Sequence, residues 1–147
     1  MPAEAPRDDA WSMTIAAALL RRGVMVHTAS LILTIVALLT GVGLSFVGAK
    51  PGPAWLVVGA AVVVLGFVEF WLAGRVALDA ELLSAIAAKG CDLDGFDGAM
   101  QTLGLMPSHK ASRPIGARIR GALRLFKLQG LALVAQIAVL LAGALLA

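Results

Sequence analysis

Glu69 is the single charged residue in the stretch Trp55 to Gly74, WLVVGAAVVVLGFVEFWLAG. A carboxyl group among apolar neighbours binds a proton or cation, accepts hydrogen bonds from adjacent helices, or reaches toward water. It precedes Arg75 by six residues, which places it on the order of 8 Å inside a boundary marked by that arginine. A charge at that depth is costly, so the group should turn inward, be protonated or have a partner. His27, Ser30 and Thr34 lie at comparable depth in the preceding apolar stretch, and Gln136 slightly deeper in the following one. These residues suit either a proton or cation relay, or a carboxyl hydrogen-bonded between helices. One acid near an interface is cheaper to hold than one at the midplane, which favours the structural role.

Other candidates for chemistry are weaker. His27 and His109 are the two histidines; one falls at a span edge and the other in a loop, a poor arrangement for bis-His haem ligation. Asp92, Asp94 and Asp97 are spaced somewhat like a calcium loop, but the twelfth position from Asp92 is Leu103 rather than Glu. The Asp-Gly pairs also resemble, in part, those of phosphatidyltransferases that join alcohols to CDP-activated lipids. The Ala-Arg step and further aspartates which that chemistry needs at set distances are absent. Turn and cap roles suit these aspartates, with Asp94 expected to cap a short helix, Phe96 to Leu103. Ser84 and Cys91 have no neighbouring base to activate them. Cys91 is the sole cysteine, so an internal disulfide is impossible and a cysteine metal site improbable. No catalytic, cofactor-binding or metal-binding residue is expected, and the chain reads as non-enzymatic.

The elements that must position these residues follow from hydropathy. Sixty per cent of residues are apolar, 14% are charged, and the mean hydropathy is +0.92, well outside the soluble globular range, where about a quarter of residues are charged. Absence of Tyr and Asn, with Arg in excess over Lys, points to a GC-rich bacterial source. Three apolar stretches occupy residues 28–48, 55–74 and 128–147, each long enough for roughly 30 Å of hydrocarbon at about 1.5 Å per residue. The first is too long for a signal peptide and is preceded by some two dozen residues, so it reads as an uncleaved span. Lys50-Pro51-Gly52-Pro53 turns it into an antiparallel hairpin with the second.

The expected fold is therefore all-α, an integral membrane protein with three transmembrane helices. Its expected segments are an N-terminal cytoplasmic segment 1–24, a transmembrane hairpin 25–74, a cytoplasmic helical connection 75–127 and a third transmembrane helix 128–147. Within the first segment, Ala10 to Arg22 reads as an interfacial amphipathic helix, with Trp11, Ile15, Leu19 and Leu20 near one side and Gly23 as its stop. The second span is expected to continue as helix to Lys89, with Gly90 beyond it. Pro114 at the first position of the next helix, with Ser112 as a possible cap, opens the run into the third span. Lysine and arginine number three before the first span, one in the hairpin turn and eight between spans two and three. Eleven against one puts the N-terminus and the long connection in the cytoplasm and the C-terminus in the periplasm of a bacterial inner membrane.

Three- and four-residue steps gather the small and polar residues onto one face of each span. The first shows His27, Ser30, Thr34, Ala37, Gly41, Ser45 and Gly48; the second Gly59, Val62, Gly66, Glu69 and Ala73; the third Gln129, Ala132, Gln136, Val139 and Gly143. Such faces let membrane helices approach closely and hydrogen-bond. The basic run Arg113, Arg118, Arg120, Arg124 and Lys127 suits anionic lipid headgroups or an acidic partner; nucleic acid is not expected, because topology already demands positive charge there. The connection's acidic first half, Asp79, Glu81, Asp92, Asp94 and Asp97, is placed to pair with its basic half. Together these features describe an accessory or scaffold subunit of a larger inner-membrane complex, with other membrane subunits or further copies of itself as partners. The alternative is a transport component or small oligomeric channel with Glu69 as its proton or ion site.

Overall fold

The computed structural model describes residues 5–46, 52–89, 92–104 and 113–145. The hairpin turn at Lys50-Pro51, together with Gly48, Gly90, Cys91, His109 and Ser112, lies outside them, as does the side chain of Ser45. The described residues form five α-helices in order: α1 Ala5–Arg21, α2 Gly23–Phe46, α3 Pro53–Ala88, α4 Leu93–Thr102 and α5 Ile115–Leu145. No strand occurs among the described residues. Three helical stretches, Asp8–Gly43, Pro53–Ala88 and Ile115–Leu145, are long and apolar enough to cross a membrane. The chain divides into two compact units, and α3 and α5 each contribute to both.

The first unit takes in Met1–Arg21 and Val76–Arg124. Its interior is apolar apart from Asp97: Met13, Ala16, Ala17 and Leu20 of α1, Val76, Ala80, Leu83 and Ile86 of α3, and Ile115 and Ala122 of α5 are buried. The helical spacing of those positions gives each helix one inward edge. On α1, Trp11, Ile15 and Leu19 remain exposed; Leu20, expected beside them, is buried instead. α1 also begins at Ala5 rather than Ala10. Arg21 reaches Glu81 Oε1 at 3.3 Å and the Ser84 hydroxyl at 3.3 Å, tying α1 to α3.

The cap of α4 differs from expectation. Asp92, not Asp94, accepts the Gly95 backbone N–H at 2.9 Å, because the helix starts at Leu93 and the capping oxygen must reach the third residue onward. A side chain at Gly95 would fall on that carboxylate. At the other end Gly104 adopts φ +68° and bonds back to the Gln101 carbonyl at 2.9 Å, a left-handed residue ending the helix.

The second unit takes in Arg22–Arg75 and Leu125–Ala147, and it inverts the pattern. Here the buried residues include Ser30, Glu69, Gln129 and Gln136, while Phe67, Phe70, Trp71, Ile32, Leu39, Leu131 and Val134 are exposed. In water such an exterior would be strongly unfavourable; in lipid it is the normal solvated face, and helices are held by small-residue packing and hydrogen bonds. A side chain at Gly143 would come within 2.8 Å of Val58, which shows how closely α5 and α3 approach.

Candidate functional site

The polar residues of the second unit form two layers along α2, α3 and α5. Seven residues separate His27 from Thr34, Val62 from Glu69 and Gln129 from Gln136. Two helical turns are about 10.5 Å, so each helix reaches both layers.

The first layer centres on Glu69, which is 1% exposed. Gln129 Nε2 donates to Glu69 Oε1 at 2.7 Å and to the Gly23 carbonyl at 3.0 Å. His27 Nδ1 stands 2.9 Å from Glu69 Oε2; either the ring N–H gives to the carboxylate or a carboxyl O–H gives to the ring. The carboxyl group itself is shut in, whereas the His27 side chain is 29% exposed, so the ring is the route from Glu69 to the surroundings. His27 also packs at a tilt against Phe70, with ring centroids 5.8 Å apart. Gln129 is fully buried, and its Oε1 has no hydrogen-bond partner among the described residues.

The second layer centres on Gln136. The Ser30 hydroxyl donates to Gln136 Oε1 at 2.6 Å. Gln136 Nε2 donates to Thr34 Oγ1 and to the Val62 carbonyl, both at 3.1 Å. Thr34 in turn donates to the Ser30 carbonyl at 2.9 Å. Every polar atom of the glutamine amide is thereby satisfied, as a buried amide requires. Gly66 makes room for this layer, since a side chain there would meet Thr34 Oγ1 and Gln136 Nε2.

Of the expected site residues, the structure joins His27 to Glu69, and Ser30 and Thr34 to Gln136. It does not join Thr34, Ser30 or Gln136 to Glu69. Gly59 and Ala73 are only half-buried, and a side chain added at Gly59 would meet no neighbouring element within 4 Å among the described residues. Gln129, on the small-residue face of the third span, is Glu69's closest hydrogen-bond partner; helical spacing reveals its face but not its partner. Of the basic run, Arg113, just before α5, and Arg120, Arg124 and Lys127 on it are exposed. Arg118 is engaged within the first unit: it grips Asp97 at 2.7 and 2.8 Å, bonds the Arg113 carbonyl at 3.1 Å and lies 5.7 Å from the Phe96 ring centroid. Asp97 thus serves as a buried counter-ion rather than in a turn or cap.

A separate apolar groove of about 400 Å³ opens on the second unit. Ala37 and Gly41 of α2, with Trp55, Gly59 and Val63 of α3, form its walls, and Leu140 of α5 closes one side. Comparison with protein-family models, curated protein sequences and solved structures finds no match.

Proposed function

We propose that this chain is a non-enzymatic accessory or scaffold subunit of a larger bacterial inner-membrane complex. The observation that carries the reading is Gly59: it lines the apolar groove, yet a side chain there would meet none of the described residues within 4 Å. Gly66 and Gly143 are needed for internal packing; Gly59 is not. A glycine on an outward helix surface lets a second helix backbone approach closely. The occupant we propose is therefore an apolar transmembrane helix of another subunit, laid along α2 and α3.

The membrane setting draws support from the exposed apolar exterior of the second unit. At about 1.5 Å per residue, the 36 residues of α3 reach roughly 54 Å, beyond the hydrocarbon thickness of about 30 Å. The stretch beyond Arg75 then lies in the cytoplasm, as do the N-terminus and the connection to α5, with the C-terminus in the periplasm. Trp11, Ile15 and Leu19 on the outer side of α1 suit the headgroup boundary. Arg113, Arg120, Arg124 and Lys127 are available to anionic headgroups, at about 1 kcal/mol each near the surface.

Native mass spectrometry of the assembly extracted in mild detergent tests the reading. We expect other polypeptides in fixed stoichiometry, lost on Gly59→Leu while the variant's own thermal unfolding is unchanged. Recovery of this chain alone, or only as copies of itself, would overturn the accessory role.

A further inference from the structure

The layer around Glu69 is short of hydrogen. Its acceptor atoms are the Gly23 carbonyl, both Glu69 oxygens and Gln129 Oε1; its hydrogens are the two on Gln129 Nε2 and one on the His27–Glu69 axis. All three hydrogens are in use, and the atom left over, Gln129 Oε1, is fully buried. With a neutral His27 ring donating from Nδ1, the layer also carries one negative charge. A buried site with a surplus acceptor and a surplus negative charge is complementary to a small cation.

We propose that Glu69, His27 and Gln129 form a binding site for one monovalent cation, a proton or a sodium ion. A proton enters at Nε2 of His27, whose ring is the part-exposed member of the set. The Nδ1 hydrogen can then pass to Glu69 Oε2 across 2.9 Å, leaving a neutral ring with its hydrogen on Nε2 and a neutral carboxyl group. One proton is taken up and none is lost; the step neutralises the charge of the layer and leaves Gln129 Oε1 without a donor. A sodium ion would instead use oxygen ligands, the carboxylate and Gln129 Oε1. His27 from α2 and the neutral Gln129 from α5 are the groups that face Glu69. The exposed cations lie toward the same end: Arg22 five residues before His27, Arg75 six residues after Glu69 and Lys127 two residues before Gln129. The site does not depend on the accessory-subunit reading.

The full chain in phosphatidylcholine and phosphatidylglycerol nanodiscs tests this by infrared difference spectroscopy. The expected result is a protonated-carboxyl band that titrates with pH in the wild type and is lost in Glu69→Gln. Exchanging choline for sodium separates the two ions: suppression of the band by sodium assigns sodium as a ligand, and indifference to sodium assigns the proton alone. Should Glu69→Gln fail to assemble, His27→Gln, at a part-exposed position, must displace the titration. A wild-type carboxyl band that responds to neither pH nor sodium, or a titration that His27→Gln leaves in place, would overturn the proposal.

Discussion

A side chain at Gly66 would fall on the Thr34 hydroxyl and stand 3.2 Å from the Gln136 amide nitrogen. That hydroxyl has no freedom to yield, because it donates to the Ser30 carbonyl and accepts from Gln136. Gly66→Ala should therefore destabilise the helix bundle by about 1–3 kcal/mol, the usual cost of overpacking a filled interior. Gly59→Ala, where an added side chain meets none of the described residues of other elements within 4 Å, should change stability by less than about 0.5 kcal/mol. Unfolding in mixed detergent measures both. Equal losses would show that the crowding at Gly66 is not what confines that position to glycine.

Gln136 joins three helices through one amide. Its replacement by Leu removes the partner of the Ser30 hydroxyl and one donor to the Val62 carbonyl. Interhelical hydrogen bonds in membranes average about 0.6 kcal/mol and reach about 1.7 kcal/mol. Gln136→Leu should cost about 2 kcal/mol and Ser30→Ala about 1 kcal/mol. Because the two share a bond, the double variant should lose less than their sum. Strict additivity would mean that the 2.6 Å contact contributes nothing.

The register of these contacts is legible in the sequence, and their pairing is not. Three- and four-residue steps place Ser30, Val62, Gly66, Glu69, Gln129, Ala132, Gln136 and Gly143 on shared faces, because a helix repeats every 3.6 residues and buries one edge. Counting from Arg75 also fixes Glu69 near one end of its apolar stretch. Which residue meets Glu69 depends on how the helices slide past one another, a quantity with no local signature. One further turn along α2 would have offered it Ser30 rather than His27. The stripe also fails at its ends, where Gly59 and Ala73 are only half-buried. The Asp92 cap was missed because Asp92 and Asp94 are both good caps, and only the start of α4 at Leu93 decides between them. Asp97 and Arg118 lie 21 residues apart, and charge pattern alone suggests only that the two halves of this segment attract.

Within the first unit, two ion pairs of unequal burial make a controlled comparison. Asp97 and Arg118 have side chains 6% and 15% exposed, whereas Arg21 and Glu81 are 55% and 70% exposed. Asp97→Ala strands a guanidinium that is largely removed from solvent, so a loss of about 3 kcal/mol is expected. Glu81→Gln should fall within about 0.5 kcal/mol of the parent, since exposed pairs are screened and conformationally costly to hold. Raising ionic strength should erase any effect at Glu81 and leave most of that at Asp97. A small loss at Asp97 would mean that Arg118 finds solvent once released.

Arg22 precedes α2, Arg75 ends the part of α3 within the second unit, and Lys127 falls two residues after that unit's stretch of α5 begins. Chain direction alternates between these helices, so the three cations share one end of the unit. The opposite end has Gly52 and Pro53 at the start of α3 and Leu145 at the close of α5; in sequence, Lys50 is the one basic residue between α2 and α3. Positive charge near span ends is retained on the cytoplasmic side during insertion. Alkaline phosphatase fused at Gly52 should therefore be active, and the same reporter fused at Gly104 inactive. Replacing Arg75, Arg124 and Lys127 with Gln while adding lysines beside Gly52 should produce molecules with the opposite reporter pattern. Phosphatase activity at Gly104 in the unaltered chain would place the connection outside the cytoplasm, and the basic face of α5 would then need a periplasmic explanation.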